Sequence, residues 1–236
     1  PVRPLPEGGR RILCLADSVT FGYRVPVVFP DEQVPAGEGE LAYPALLERQ
    51  LSTDTRPVQA LALAVPGYSS HQGRAWLRRD IARYRPDLVT ICFGWNDIDL
   101  RDAPDHETVS LRPHHLWSRR LIAASRLVGH IARWRVERRG ADATPVGRAS
   151  GRPRVACEDY VANILAMADE ARRHGARVVI IAPVYRDPVT NPDDAFRIGR
   201  WRAALVRAAG QAGIPCLLVP ELTEVGWPHN GELFGE

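Results

Sequence analysis

The sequence predicts an α/β protein, a three-layer α/β/α sandwich built on a five-stranded parallel sheet. Five short runs are apolar at nearly every position rather than at alternate positions, which is typical of strands buried on both faces. Helical patterns separate these runs along the chain, and right-handed crossover helices of this kind join parallel strands. The five predicted strands span residues 11–15, 58–63, 88–93, 177–182 and 214–219.

Five other segments carry the apolar periodicity of helices. In the segment 115–138, apolar side chains recur at steps of four, three, four and three, which predicts a helix with one apolar stripe. The residues of that stripe are Trp117, Leu121, Ala124, Val128 and Ile131. The remaining predicted helices span residues 43–51, 72–84, 157–174 and 194–212.

The segment 112–154 is an arginine-rich insertion in this pattern. It carries eleven arginines against two acidic residues, Glu137 and Asp142. Its helical half could lie on an anionic membrane or polymer. We favour a solvated face above a packed apolar stripe, because one-sided helices cover the surface of a sandwich. Residues 140–154 are rich in Gly, Pro and Ala without periodicity, which predicts a mobile loop.

Length and composition are consistent with one soluble globular domain over residues 1–236. The chain is 45% hydrophobic and 25% charged, and its apolar runs are far too short to cross a bilayer. It begins with Pro1 rather than Met, so removal of a leader or anchor is compatible with the sequence, and both a cytoplasmic and an exported location stay open. A formal net charge of +3 is too small to indicate a nucleic-acid partner.

Several classes of chemistry are excluded by the residue types. All 31 basic residues are arginine, so no lysine can form a Schiff base. The four cysteines lie far apart, and no CxxC or HExxH spacing is present, so we expect neither a disulfide framework nor a metal site. We expect no cofactor.

Polar residues follow three of the predicted strands, at the sheet edge where parallel α/β proteins bind ligands. Ser18 follows the first strand, Gly67 the second and Asn96 the third. Taken singly, each fits a plain structural role as a helix cap or turn residue. A serine hydroxyl, a glycine amide and an asparagine amide directed at one point are together the outline of a nucleophile with its oxyanion hole.

Three sequence blocks around these residues resemble the SGNH, or GDSL-type, hydrolases. "ADSVTFG" resembles the family's first block, GDSxTxG, with Ala16 in place of the first glycine. "LAVPGYSSHQG" is similar to the second block, and "GWND" matches the third, GxND. The similarity extends over about residues 11–219 and includes the segment "EDYVANILAMADEARRHGARVVIIAPV".

The resemblance implies a flavodoxin-like sheet with strand order 2-1-3-4-5 and hydrolysis of a carboxylic ester through an acyl-enzyme on Ser18. The amides of Ser18 and Gly67 and the side chain of Asn96 would form the oxyanion hole. The substrate would be a small-molecule or glycan ester. Asp17, Gly94 and His71 are the further residues that we expect beside the substrate, and for Asp17 we expect mainly a role in fixing the turn.

The family's last block, Asp-x-x-His, is missing from this chain. It supplies the general base and the carboxylate that orients it. Either the sequence stops just short of the catalytic loop, or His229 serves as base with Glu224 or Glu221 as its partner. We favour the first alternative, because "GELFGE" resembles the lead-in to the missing block.

Two rival functions are compatible with the same residues. An O-acyltransferase would use the same nucleophile and pass the acyl group to a sugar or another hydroxyl acceptor. A non-catalytic binding module of the same fold would keep the pocket and lack the base. Turnover of an ester separates the module from both enzymes, and acceptor-dependent product formation separates the two enzymes from each other.

Overall fold

The structure of the chain is a computed structural model. It describes residues 4–22, 42–101, 103–110, 151–183 and 192–218. These residues belong to two compact units. The first comprises Pro1–Ile98 and Val155–Glu236, and the second comprises Asp99–Arg154. The predicted helix over 115–138 and the helical part of the arginine-rich insertion lie outside the described residues.

Five of the seven described strands form the parallel sheet of the first unit. Its order is β2-β1-β3-β6-β7, which is the 2-1-3-4-5 order expected for the five predicted strands. The predicted fold class is thereby confirmed. The strands are β1 (Arg10–Ala16), β2 (Val58–Ala64), β3 (Leu88–Cys92), β4 (Leu100–Arg101), β5 (Arg152–Pro153), β6 (Arg177–Ile181) and β7 (Cys216–Leu217).

Helices flank the sheet and connect its parallel strands. The described helices are α1 (Ser18–Phe21), α2 (Tyr43–Leu51), α3 (Ser70–Tyr84), α4 (Asp105–Ser110), α5 (Cys157–Arg173) and α6 (Pro192–Gln211). Helix α3 begins at Ser70, two residues before the predicted start, because Ser69 and Gln72 form a capping box. Helix α6 begins at Pro192, and proline suits the first helical position because its missing N–H has no partner there in any case.

Strand β1 lies at the centre of the core, and all of its residues except Arg10 are buried. Leu13 and Leu15 join a hydrophobic cluster with side chains of α3 and α5. At the start of α2, the Tyr43 hydroxyl forms a hydrogen bond of 2.9 Å with the Thr90 hydroxyl on β3. Burial on both faces explains why this strand is apolar at nearly every position.

The second unit contains a short antiparallel pair at the end of the arginine-rich segment. Strand β5 pairs with β4, so residues 152–153 are a strand and differ from the loop expected over 140–154. Gly151 permits the pairing, because a Cβ there would lie 2.5 Å from the Arg101 carbonyl oxygen. The Arg154 guanidinium also donates two hydrogen bonds of 3.0 Å to Asp105.

The described residues contain no helix with the length and apolarity needed to cross a bilayer. The four cysteine thiols are free.

Candidate active site

Three neighbouring strands of the sheet end level with one another. Ala16, the last residue of β1, pairs with Ala64 at the end of β2 and with Cys92 at the end of β3. The polar residues that follow these strands therefore meet at one edge of the sheet. The chain leaves β1 toward β2 and later returns to the other side of β1 at β3, so this edge includes the point where strand order reverses.

Ser18 stands on a tight turn that leads directly from β1 into the four-residue helix α1. Asp17 caps this helix, and its Oδ1 atom accepts a hydrogen bond of 3.1 Å from the Val19 amide. Gly22 ends the helix in the left-handed conformation at φ 83°. Ser18 is half-buried, whereas Asp17 is only 1% exposed. The turn thus keeps Ser18 accessible and buries the carboxylate before it.

The Asn96 side chain joins the three segments of the site. Its Nδ2 atom donates to the Tyr68 carbonyl oxygen at 3.0 Å and to Asp17 Oδ2 at 3.2 Å. Tyr68 follows Gly67, and Asp17 precedes Ser18, so one amide group links the segments that carry the other two predicted residues. The structure brings these segments together as the sequence predicts.

Two glycines shape the backbone of the site for different reasons. Gly67 has φ 81° in a turn that the Tyr68 amide closes onto the Val65 carbonyl oxygen at 3.1 Å, and a Cβ there would meet nothing within 4 Å. Gly94 has φ 147°, and a Cβ there would lie 3.0 Å from the Pro183 ring. Gly67 is therefore required by conformation alone, and Gly94 by both conformation and space.

Asp97 is a buried residue of the site, and its sequence position alone did not indicate a role for it. Its Oδ1 atom accepts from the Ser70 hydroxyl at 2.5 Å and from the Ser70 amide at 3.0 Å. The Ser70 hydroxyl in turn accepts from Asn163 at 3.2 Å, and Arg74 donates to the Asn163 side-chain oxygen. The position of Asp97 in "GWND", next to Asn96, was the one signal that the sequence offered.

The remaining predicted residues are placed as follows. His71 is half-buried in the first turn of α3. Asp17 and Gly94, which we expected beside the substrate, are both buried. Little of either residue's surface is therefore open to direct contact with a bound substrate. His229, Glu221 and Glu224 lie outside the described residues. No three His, Cys, Asp or Glu side chains in the described part of the chain form a group able to hold a metal ion.

Burial perturbs the ionisable groups under the site. Burial of Asp17 raises its pKa from 3.8 to about 6, against the opposing effect of hydrogen bonds from Val19 and Asn96. Burial, and then the charge of Asp17, raise the pKa of the Cys92 thiol to about 12. At pH 8, Asp17 is therefore ionised and Cys92 is neutral. At that pH a buried negative charge lies directly beside Ser18, in a poorly solvated environment.

Residues 14–233 match the sequence model of the GDSL-like Lipase/Acylhydrolase family. The chain belongs to this family. The match covers most of the chain and includes the segments that carry Ser18, Gly67 and Asn96. The GDSL-like chain is accordingly an ester hydrolase of the SGNH type, with the α/β sandwich of that family. A search of curated protein sequences gave no match.

Solved structures share the fold of this GDSL-like chain at low sequence identity. The lipase/acylhydrolase from Enterococcus faecalis has a TM-score of 0.54 at 18% identity, over 94% of this chain and 82% of its own. TesA has a TM-score of 0.53 at 19% identity, over 94% of this chain and 84% of its own. Axe2, an acetyl-xylooligosaccharide esterase from Geobacillus stearothermophilus, has a TM-score of 0.52 at 16% identity, over 89% of this chain and 75% of its own.

Proposed function

We propose that this chain hydrolyses carboxylic esters through an acyl-enzyme on Ser18. The observation that carries the proposal is the Asn96 amide, which joins the Ser18 turn to the Gly67 turn where three strands end in register. A nucleophile accessible at a strand end, with donors from the two neighbouring strand ends, is the arrangement that acyl transfer requires.

The reaction begins when Ser18 Oγ attacks the ester carbonyl carbon and gives its proton to a general base. The negative charge that develops on the carbonyl oxygen is stabilised by the amides of Ser18 and Gly67 and by the Asn96 side chain. Collapse of this intermediate breaks the ester C–O bond, the protonated base gives its proton to the departing alkoxide, and the acyl group stays on Ser18. Water then gives a proton to the same base and attacks the acyl-enzyme, and the base returns that proton to Ser18 Oγ as the acid is released.

The general base in this proposal is a histidine of the segment that follows β7. His229 is the candidate that the sequence itself offers. If His229 is the base, His229→Ala is as damaging as loss of Ser18. If it is not, the same substitution is expected to leave turnover within about twofold of the wild-type rate, because His229 then takes no part in proton transfer.

Small-molecule and glycan esters are the substrate classes that we propose. The family supports ester substrates in general, and one structural neighbour is named as an esterase of acetylated xylo-oligosaccharides. A panel of aryl esters of increasing acyl length, together with an acetylated xylo-oligosaccharide, would determine the preferred class. Added sugar acceptors would reveal acyl transfer as a product that appears only in their presence.

The decisive test is covalent trapping of Ser18 together with turnover. A fluorophosphonate adds to the nucleophile of serine hydrolases, so the wild-type protein is expected to gain one adduct on the peptide that contains Ser18. Ser18→Ala is expected to lose the adduct and to lower ester hydrolysis by at least about 10³-fold, because the nucleophile is removed. Hydrolysis retained at a tenth of the wild-type rate or more would exclude Ser18 as the nucleophile.

A further inference from the structure

We infer that Asp17 is the positioning residue for the Asn96 side chain. It selects the orientation in which the Asn96 amide presents Nδ2 to the turn that carries Ser18, here called the nucleophile turn. This inference rests on the function proposed above. It gives the buried carboxylate before the nucleophile a role distinct from substrate contact and from proton transfer.

An isolated asparagine side chain has no strong preference between the two orientations of its amide group. Rotation about the bond that carries the amide group is broad, and the amide presents a donor on one side and an acceptor on the other. In an oxyanion hole only the donor side is useful, because the side-chain oxygen would repel the developing negative charge. Neighbouring groups must therefore hold the amide in one of its two orientations.

Two acceptors on separate segments supply that selection. The Tyr68 carbonyl oxygen and Asp17 Oδ2 both lie within hydrogen-bond distance of Asn96 Nδ2, at 3.0 and 3.2 Å. Nδ2 has two hydrogens and both are engaged here, so a developing oxyanion must share or replace the Tyr68 bond while the Asp17 bond keeps the amide in this orientation. In the flipped amide, the Asn96 side-chain oxygen would face two acceptors and would be repelled by both. Because one of these acceptors is a carboxylate, the repulsion is larger than two neutral carbonyl groups would produce.

The Asp17 carboxylate uses its two oxygens on different parts of the site. Oδ1 accepts from the Val19 amide, in the turn that carries Ser18, while Oδ2 accepts from Asn96. The side chain is 1% exposed, so water competes little for either oxygen. Burial raises its pKa to about 6, and at pH 8 the acceptor is the charged carboxylate. The nucleophile turn and the oxyanion donor are thereby tied to one rigid, charged group.

The Asp17→Asn variant is the first test. An asparagine offers one acceptor oxygen in place of two, and its NH₂ group can donate to a flipped Asn96 amide. We expect kcat/KM for an aryl ester at pH 8 to fall about 10- to 100-fold, mainly through kcat, with KM within about threefold of the wild-type value. The rate constant of fluorophosphonate labelling at Ser18 is expected to fall by the same factor, because that adduct also places an oxygen in the oxyanion hole.

A double-mutant cycle with Asn96→Ala separates positioning from a merely structural role. Asn96→Ala alone is expected to lower kcat by about 10²- to 10³-fold, as loss of an oxyanion donor does. If Asp17 acts through Asn96, adding Asp17→Asn to that variant lowers the rate by no more than about threefold further. Full multiplication of the two effects would overturn the inference, and so would an Asp17→Asn variant with the wild-type rate.

Asp87→Asn is the matched control. Asp87 accepts from the Arg11 amide at 2.8 Å, near the opposite end of β1, so the variant also removes a carboxylate that binds a backbone N–H at a sheet edge. Its activity is expected to stay within about twofold of wild type, and thermal unfolding checks that every variant is folded. If the wild-type protein itself takes no adduct at Ser18, the proposed function fails. If it takes the adduct and the cycle is multiplicative, the positioning role alone fails.

Discussion

Asp17 and Asp97 are two buried carboxylates beside the same site, and they bind different kinds of partner. Asp17 accepts from two N–H groups at 3.1 and 3.2 Å, one in its own turn and one on the Asn96 side chain. Asp97 accepts from the Ser70 hydroxyl at 2.5 Å and from the Ser70 amide, at the start of the fifteen-residue helix α3. Short O–H bonds to a carboxylate are the stronger class.

The difference teaches that burial alone does not tell what an acidic residue does. Asp97 joins the loop after β3 to a long helix, where the helix dipole also favours a negative charge. Asp17 holds a turn of four residues and the Asn96 side chain, through longer bonds, and burial of its charge opposes folding. We therefore assign Asp97 mainly to stability and Asp17 mainly to the geometry of the site.

The largest expected effect is on the stability contribution of Asp97. Asp97→Ala leaves the buried Ser70 amide and hydroxyl without this acceptor, and we expect the free energy of unfolding to fall by about 2–5 kcal/mol. Asp17→Ala is expected to reduce it by less than half as much, because removal of a poorly solvated charge offsets the lost bonds. Urea unfolding of both variants at pH 7.5 measures the difference. Equal losses would remove the contrast between the two carboxylates.

The pH dependence of stability sharpens the same contrast. The pKa of Asp17 in the folded protein is raised from 3.8 to about 6, so the folded state binds the proton more tightly than the unfolded state does. Its favourable contribution is present below about pH 4 and is lost as the pH rises through about 6. Relative to Asp17→Asn, the wild-type protein should lose about 2 kcal/mol of unfolding free energy between pH 4 and pH 7. A difference between the two proteins that is constant over this range would contradict the assignment.

The smallest expected effect concerns the backbone beside Asp17 and Asn96. Gly67→Ala places a Cβ in open space at φ 81°, so its expected loss of about 1–2 kcal/mol in unfolding free energy comes from conformation alone. Gly210→Ala is the matched control. Its Cβ would also meet nothing within 4 Å, but Gly210 lies in helix α6, where alanine is favoured. We expect the free energy of unfolding of this variant to rise by about 0.5 kcal/mol. Opposite signs in thermal unfolding confirm the argument, and equal signs refute it.

Much of the site was predictable from short stretches of sequence. Each predicted residue follows an apolar run, and a strand buried on both faces shows its burial in composition without reference to any partner. The carboxyl ends of parallel strands meet at one edge, so the placement of the segments carrying Ser18, Gly67 and Asn96 follows once the strand order is known. The strand order itself came from the family resemblance, because apolar periodicity does not state which strands are neighbours.

Only the tertiary structure decided which side chains hold this site together. The Asn96 bonds join residues 79 and 28 positions apart, and the Ser70 bond to Asp97 spans 27 positions. Periodicity and capping patterns report contacts within a few residues, so they carry no information on such pairs. The β4–β5 pairing likewise depends on the close approach of Gly151 to Arg101. From composition alone, the segment that contains Gly151 was predicted to be a loop. The sequence by itself therefore determined the fold and the chemical groups at the edge of the sheet, while long-range hydrogen bonding decided which partners the two buried carboxylates bind.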